Sequence, residues 1–223
     1  MLKGYQLVVF DWEGTIAESS LGYLIIALTH AVERMHLPNF DLNAARQIMP
    51  SGLITAVRVL FPTLSLHQQE DLCREVQRTL LEVSTTVQLV PGVKDLILWL
   101  HDAGIHMAIA TNKSAQGLAH VLRLSGLDGY ILVTRSATEA PPKPCPQMLE
   151  EIMETFALDA QDTVMIGDSV SDMEMAAALG VEALGMDFFQ TEEQDLRVAG
   201  AQHVFHDYQQ LFQHIANSLR TIT

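Results

Sequence analysis

The chain has 223 residues, with 27 acidic and 13 basic residues and a formal net charge of −14. Apolar residues make up 48% of the chain, which is enough for a sizeable core and argues against disorder. An acidic protein repels the phosphates of nucleic acids and anionic lipids, so a nucleic-acid-binding protein is disfavoured. The two cysteines lack metal-ligand spacing, and neither a signal peptide nor a membrane-spanning stretch is visible; a cytoplasmic protein with reduced thiols and no membrane attachment is predicted.

Short apolar runs predict the strands of a buried sheet. The clearest run is Gln6 to Phe10, which is bounded by polar residues, as in a strand covered on both faces. Similar runs follow at His106 to Ala110, Tyr130 to Val133 and Val164 to Ile166, and weaker ones near Ala183 and Val204. Apolar residues at helical spacing separate several of these runs, and a last amphipathic helix follows from Tyr208 to Leu219. Alternating strands and helices predict an α/β fold, a Rossmann-like parallel sheet covered on both faces.

One segment interrupts the alternation, because no strand is predicted from Ile16 to Val90. Helical patterns there predict helices at Leu21 to Met35, Leu42 to Ile48, Leu53 to Phe61 and Leu72 to Val83. We therefore expect an all-helical cap at residues 16–90, inserted into a core made of residues 1–15 and 91–223. Twenty of the 27 acidic residues lie in that core, which favours a bound cation there.

The first strand ends in Asp11-Trp12-Glu13-Gly14-Thr15. Residues two apart in a strand project to the same side, so Asp11 and Glu13 can face one spot at the carboxyl end of the sheet. Open parallel sheets bind their ligands at that end. Two solvated carboxylates at a strand end would give the same pattern, and this alternative stays open for the motif alone.

Three further groups of polar residues follow predicted strands. Thr111 and Asn112 end the second strand and suit phosphate oxygens, although a helix N-cap explains them equally well. Lys143 lies among the prolines of Pro141-Pro142-Lys143-Pro144, which would present its ammonium rigidly to a phosphate. Asp168 and Asp172 follow the fourth strand and offer the hard oxygen ligands that Mg²⁺ prefers. The four groups together are a strong signal, because each falls at a separate strand end.

These motifs resemble those of the haloacid dehalogenase superfamily, whose phosphatases carry D-x-D-G-T, a Ser or Thr, a Lys and G-D-x-x-x-D in this order. The position of the helical insert is similar to that in phosphoglycolate phosphatases and β-phosphoglucomutases. The resemblance implies magnesium-dependent hydrolysis of a small phosphate monoester, with Asp11 as the nucleophile that forms an aspartyl-phosphate. It further implies that a Mg²⁺ ion is held by Asp11, Asp168 and the backbone carbonyl of Glu13. The phosphate would be bound by Thr111, Asn112 and Lys143. Asp172 would orient Lys143 or a metal-bound water.

Glu13 departs from the family pattern, which usually has Asp at this position. In the family, that residue protonates the leaving alcohol and then activates the water. The extra methylene moves the carboxyl group by about an ångström, and such shifts can cost about 100-fold in rate. A catalytically weakened member that binds a phosphorylated ligand or a protein is therefore an alternative. A phosphomutase is another, although Ile16 to Tyr23 lacks the histidine that those enzymes usually carry after the first motif.

The predicted cap offers three candidate specificity residues. Ser51 is predicted to cap a helix, and Arg46 and Arg58 flank it and could meet a second anionic group of the substrate. Two solvated helix arginines are an equally good interpretation. A cap favours a small phosphorylated metabolite over a polymer as the substrate, and the protein is expected to be a monomer or a homodimer. The nine histidines show no metal-ligand spacing and are interpreted as surface or core residues.

Overall fold

The computed structural model describes residues 4–220, and its centre is one sheet of six parallel strands. The strands are β1 (Leu7–Phe10), β2 (His106–Thr111), β3 (Val133–Ser136), β4 (Thr163–Gly167), β5 (Glu182–Met186) and β6 (His203–Phe205). They lie in the order β3-β2-β1-β4-β5-β6. The predicted class, a Rossmann-like parallel α/β sheet, is confirmed.

The strand order places a topological switch point beside β1. The chain builds the sheet outward from β1 through β2 and β3, and then adds β4, β5 and β6 on the other side. Phe10 of β1 is paired with Ile109 of β2 and with Ile166 of β4, so the three strands end at nearly the same level. Ligands of open α/β sheets bind in the crevice outside the carboxyl ends of the strands at such a point.

Ten helices accompany the sheet in the described part of the chain. They are α1 (Ser20–Arg34), α2 (Leu42–Ile48), α3 (Leu53–Leu60), α4 (Leu66–Val83), α5 (Val93–Asp102), α6 (Ala115–Ser125), α7 (Gln147–Phe156), α8 (Val170–Ala178), α9 (Glu193–Ala199) and α10 (Tyr208–Arg220). The bounds of α2 agree with the predicted Leu42 to Ile48. In contrast, α4 begins well before the predicted Leu72, because Ser65 and Gln68 form a capping box at its polar first turn.

The third strand corrects a prediction. The apolar run Tyr130 to Val133 was expected to form it, but the strand is Val133–Ser136. The backbone N–H groups of Tyr130 and Ile131 both donate to the carbonyl of Leu127, so these residues form a turn. The observed strand lies at the edge of the sheet and carries polar side chains, which an apolar-run criterion overlooks.

The described chain divides into two compact units. One holds the chain up to Ala17, Leu89–Phe188 and the chain from Glu192 onward, and it contains the sheet. The other holds Glu18–Gln88 together with Phe189–Thr191 and is helical. Its core is a cluster of buried apolar side chains from α1, α3 and α4, among them Leu28, Val57, Leu72 and Val76.

Two further expectations concern the cysteines and membrane-spanning helices. Cys73 and Cys145 are both free thiols. Among residues 4–220, the structure contains no helix that is long and apolar enough to cross a membrane.

Candidate active site

Asp11 directly follows β1 and is 7% exposed. Its backbone N–H donates to the carbonyl oxygen of Ile166 at 2.9 Å, which extends the pairing of β1 and β4 as far as this carboxylate. The chain then turns at Gly14, whose φ of 78° favours glycine. A Cβ on Gly14 would lie 1.8 Å from Oδ2 of Asp168, so the absence of a side chain lets the two strand ends approach each other.

Lys143 joins the carboxylates of this edge of the sheet. Its Nζ donates to Oδ1 of Asp11 and to Oδ1 of Asp172, both at 2.6 Å, and to the carbonyl oxygen of Ala110 at 3.2 Å. The lysine is 7% exposed, so these contacts are shielded from bulk water. Lys143 is therefore a buried lysine that bridges two carboxylates, not a solvated loop residue.

Asn112 and Thr111 lie at the end of β2, beside the loop that carries Lys143. Oδ1 of Asn112 accepts from the backbone N–H of Lys143 at 2.8 Å, and Nδ2 donates to the Lys143 carbonyl at 3.5 Å. Asn112 thus holds the backbone of the lysine loop, a positioning contact that the sequence did not predict. Thr111 is 2% exposed, and its hydroxyl accepts from the backbone N–H of Lys113 at 3.3 Å.

Asp168 directly follows β4, and Asp172 lies in the first turn of α8. Asp172 belongs to a capping box in which its Oδ2 accepts from the backbone N–H of Ser169 at 3.1 Å and from the Ser169 hydroxyl at 2.7 Å. Its other oxygen accepts from Lys143. A Cβ on Gly167 would lie 2.4 Å from the carboxyl carbon of Asp172, so glycine is needed at this position too. The helix cap and the lysine contact together fix the Asp172 carboxylate.

The site concentrates negative charge in a buried place. Carboxylate oxygens of Asp11, Asp168 and Asp172 all lie within 4.8 Å of one another. Burial, together with repulsion from Asp11 and Asp172, raises the pKa of Asp168 to about 8. Burial and the charge of Asp172 raise the pKa of Asp11 to about 6 against the opposing effect of Lys143. Burial alone would lower the pKa of Lys143, but the two carboxylates that it contacts raise it above its ordinary value.

A divalent cation fits this donor set. When all three carboxylates are ionised, their charge exceeds that of the one ammonium by two negative charges. Mg²⁺ favours oxygen ligands and binds through one or two carboxylates while it keeps several waters. Asp11 and Asp168 are the members that would hold the ion, since Asp172 already serves Lys143 and the helix cap.

Glu13 lies at the rim of the site rather than inside the cluster. Its side chain is 65% exposed, and its Oε1 accepts from Nζ of Lys113 at 2.6 Å. The sequence predicted no partner for Glu13, because Lys113 lies a hundred residues further along the chain. Lys113 directly follows Thr111 and Asn112, so the end of β2 supplies both the support for the Lys143 loop and an ion pair with Glu13.

Tyr208 contacts the turn after the first motif, and no sequence pattern predicted this contact. It begins α10, is 2% exposed, and its hydroxyl donates to the carbonyl oxygen of Thr15 at 2.9 Å. Burial, followed by the charges of Asp168 and Asp11, raises its pKa well above the ordinary range. The amphipathic pattern of the last helix indicated a core position only; Tyr208 in fact holds the turn that follows the first motif.

The three candidate specificity residues belong to the helical unit. Ser51 was predicted to cap a helix, and this is wrong: it ends a 3₁₀ turn, and Gly52, with φ of 97°, takes the N-cap position of α3. Ser51 and Arg58 line a cavity of about 820 Å³. Arg46 is near Glu18. Burial raises the pKa of Glu18, and the positive charge of Arg46 opposes this effect. The structure therefore gives Arg46 and Arg58 different surroundings.

Comparison with known proteins agrees with this geometry. The family model described as haloacid dehalogenase-like hydrolase matches residues 8–186. The chain therefore belongs to this hydrolase family, and the predicted membership is confirmed.

Individual relatives point to one branch of the family. The phosphoglycolate phosphatase of Nitrosococcus oceani is 27% identical over 204 residues, which is 88% of this chain and 90% of that protein. The phosphoglycolate phosphatase of Vibrio parahaemolyticus is 28% identical and covers 82% of this chain and 84% of its own length. A solved Thermotoga maritima structure assigned as a β-phosphoglucomutase superposes with a TM-score of 0.63 at 23% identity, covering 98% of this chain and 100% of that one. The last similarity concerns the fold alone.

Proposed function

We propose that this protein hydrolyses a small phosphate monoester with the help of Mg²⁺, through an aspartyl-phosphate on Asp11. The observation that carries the proposal is the buried cluster of Asp11, Asp168 and Asp172 around Nζ of Lys143, at the switch point of a parallel sheet. Such a cluster offers a nucleophile, a fixed positive charge and ligands for a metal ion in one place. The names of the relatives support the same reaction.

The first step forms the intermediate. A carboxylate oxygen of Asp11 attacks phosphorus, and the bond between phosphorus and the ester oxygen breaks. The leaving alkoxide takes a proton from Glu13, which acts as general acid. In the second step, water loses a proton to Glu13 and attacks the phosphorus of the phospho-aspartate, which releases inorganic phosphate and restores Asp11.

Lys143 makes the attack feasible by screening charge. Two anions must approach each other, and the ammonium within 2.6 Å of Asp11 offsets part of their repulsion in a place that water does not screen. When bound, Mg²⁺ would supply further charge neutralisation of the transferring phosphoryl group. Asp172 and Asn112 keep the ammonium and its loop in position.

The substrate class follows from the relatives and the helical unit. We propose a small metabolite that carries a second anionic group, as phosphoglycolate does, with Arg58 or Arg46 as its partner. The assignment of the helical unit as a substrate-binding cap belongs to this proposal.

The test is phosphate release from 2-phosphoglycolate and from p-nitrophenyl phosphate, with Mg²⁺ and with excess chelator. The parent protein and the control Asp128→Asn, an exposed position outside the site, are expected to be active only with the metal. Asp11→Asn is expected to be inactive while keeping the fold of the parent, as checked by circular dichroism. Full activity in chelator, or turnover by pure Asp11→Asn, would overturn the mechanism.

A second candidate function rests on Glu13. Because its carboxylate is exposed and paired with Lys113, a member that binds a phosphorylated ligand without turning it over is the competing interpretation. It would be favoured if the parent protein hydrolysed no phosphate monoester in a metabolite panel while Glu13→Asp gained activity.

A further inference from the structure

A second group of metal-ligating side chains lies where β5 and β6 begin, whereas Asp11 follows the carboxyl end of β1. Glu182 and His203 are the first residues of β5 and β6, and His214 lies on α10. One ligand atom from each of the three lies within 4.8 Å of the other two. The residues are separated in sequence by 21 and 11 positions, so no ligand spacing reveals them before the strands and the helix come together.

Register explains why these three side chains meet. His203 of β6 is paired with Leu184 of β5, which lies two residues after Glu182 and therefore projects to the same face. Helix α10 buries Leu211 and Ile215 in the core, and His214 lies beside both on the helix surface. The helix thus brings one imidazole to the face on which β5 and β6 present a carboxylate and a second imidazole.

One donor atom of the group is buried without a partner. Nε2 of His214 is inaccessible to solvent and makes no hydrogen bond among the described residues. A buried polar atom without a partner lowers stability, so such atoms call for an explanation. Ring contacts explain the position of the His214 imidazole, because its centroid lies 4.6 Å from that of His203 and 5.2 Å from that of Phe205. These contacts give Nε2 no hydrogen-bond partner.

The Glu182 carboxylate has a further polar residue near it. Tyr5, which is 8% exposed, lies near Glu182, and burial together with the charge of Glu182 raises the pKa of the Tyr5 hydroxyl. Carboxylates and imidazoles that bind metals are commonly held by such outer contacts, which fix their orientation.

We propose that Glu182, His203 and His214 form a Zn²⁺ site that is separate from the Mg²⁺ cluster and ties α10 to the β5–β6 edge. Two imidazole nitrogens and a carboxylate are a common ligand set for zinc, with water at a fourth position, whereas Mg²⁺ prefers oxygen alone. Zinc–ligand bonds of about 2.0–2.2 Å place tetrahedral donors roughly 3.4 Å apart. The present separations of up to 4.8 Å would close by small side-chain rotations, and His203 is exposed and free to make them.

The test is Zn²⁺ binding by the full, tag-free chain in excess Mg²⁺, which keeps zinc from the carboxylate cluster. Titration calorimetry is expected to show one equivalent bound, and Zn²⁺ at a hundredfold excess over Kd is expected to raise Tm by about 5–10 °C. Co²⁺ in place of Zn²⁺ is expected to give the visible absorption of a tetrahedral site. These readouts do not depend on phosphatase activity, so their failure would leave the proposed function intact.

Variants assign the binding to the three residues. His203→Ala and His214→Gln are each expected to weaken Zn²⁺ binding at least 100-fold, and Tyr5→Phe about 10- to 100-fold. His120→Ala, an exposed position on α6, is the matched control and is expected to bind as the parent does. If His214→Gln fails to fold, the exposed His203 still decides the question. Unchanged binding in His203→Ala, or no Tm shift in the parent, would overturn the site and leave the histidines as packing residues.

Discussion

Asp168→Asn should stabilise the metal-free protein while abolishing its response to Mg²⁺. The amide is nearly isosteric with the carboxylate but carries no charge, so it removes one of three mutually repelling anions. The pKa of Asp168 is raised from 3.8 to about 8, mainly by burial and then by Asp11 and Asp172. A carboxyl group with a raised pKa in the folded state costs stability as pH rises, because its ionisation is easier in the unfolded chain.

The size and the pH range of the effect follow from this shift. One pKa unit corresponds to about 1.36 kcal/mol, so the shift sets a ceiling of about 6 kcal/mol. Asp168 is partly exposed, and screening lowers the expected gain to about 2–5 kcal/mol, or roughly 5–15 °C in Tm. The contribution of neutral Asp168 to the stability of the parent is present in full below pH 4 and is lost as pH rises to about 8. The gap between variant and parent should therefore open between those values.

Thermal unfolding in chelator at pH 5 and pH 8 measures the gap, and repetition with Mg²⁺ measures the response to the metal. The parent should gain stability from Mg²⁺, whereas Asp168→Asn should gain little and should be inactive. Asp128→Asn controls for the loss of a surface charge. The reasoning fails if Asp168→Asn melts at or below the parent temperature in chelator at pH 8, or if Mg²⁺ stabilises both proteins equally.

Four further outcomes are expected. Asp11→Asn should lower kcat by at least about 10³-fold, measured as phosphate release with its fold checked by circular dichroism. Glu13→Ala should lower kcat for an alkyl phosphate by about 10²- to 10⁴-fold and less for an aryl phosphate, while Glu13→Asp should keep or raise it; equal alkyl turnover in Glu13→Ala would move the acid role elsewhere. Lys113→Met should lower alkyl kcat by roughly tenfold through the loss of Glu13 orientation, with KM unchanged; a change in KM alone would indicate substrate binding. Ca²⁺ should inhibit the Mg²⁺ enzyme in steady-state assays, because its looser coordination misplaces the nucleophile; activation by Ca²⁺ would contradict this.

The sheet and the candidate site were predictable because both depend on short segments. A buried strand needs only a run such as Gln6 to Phe10, and parallel strands bring their carboxyl ends to one edge. Asp11, Thr111, Lys143 and Asp168 therefore converge without any knowledge of the helices. The third strand was missed because an edge strand needs less burial: Arg135 of β3 pairs with Glu151 instead of packing inward. Ser51 was misplaced because a 3₁₀ turn and α3 compete for the same few residues.

Contacts between side chains that are far apart in sequence could not be predicted. Two examples are the hydrogen bond between the Asn112 amide and the Lys143 backbone and that between the Tyr208 hydroxyl and Thr15. No local sequence pattern predicts either bond, because each depends on how two distant segments meet. The histidines at 203 and 214 were likewise interpreted as surface or core residues, because their spacing fits no metal motif. Register and helix packing decide such contacts, and a pattern read along one chain does not contain them.

Glu13 shows how a contact of this kind changes the meaning of a departure from the family pattern. Taken alone, the longer side chain implies a misplaced acid with one more torsion to order. The ion pair with Lys113 removes much of that freedom, because a carboxylate held at 2.6 Å by an ammonium samples few orientations. Lys113 follows Thr111 and Asn112 directly, so the strand end that supports the phosphate-binding groups also restrains Glu13. An Asp at position 13 would be one methylene shorter and would give up this contact. Glu13 and Lys113 are therefore best understood as a matched pair, and the double variant Glu13→Asp with Lys113→Met should have the same kcat as Glu13→Asp alone.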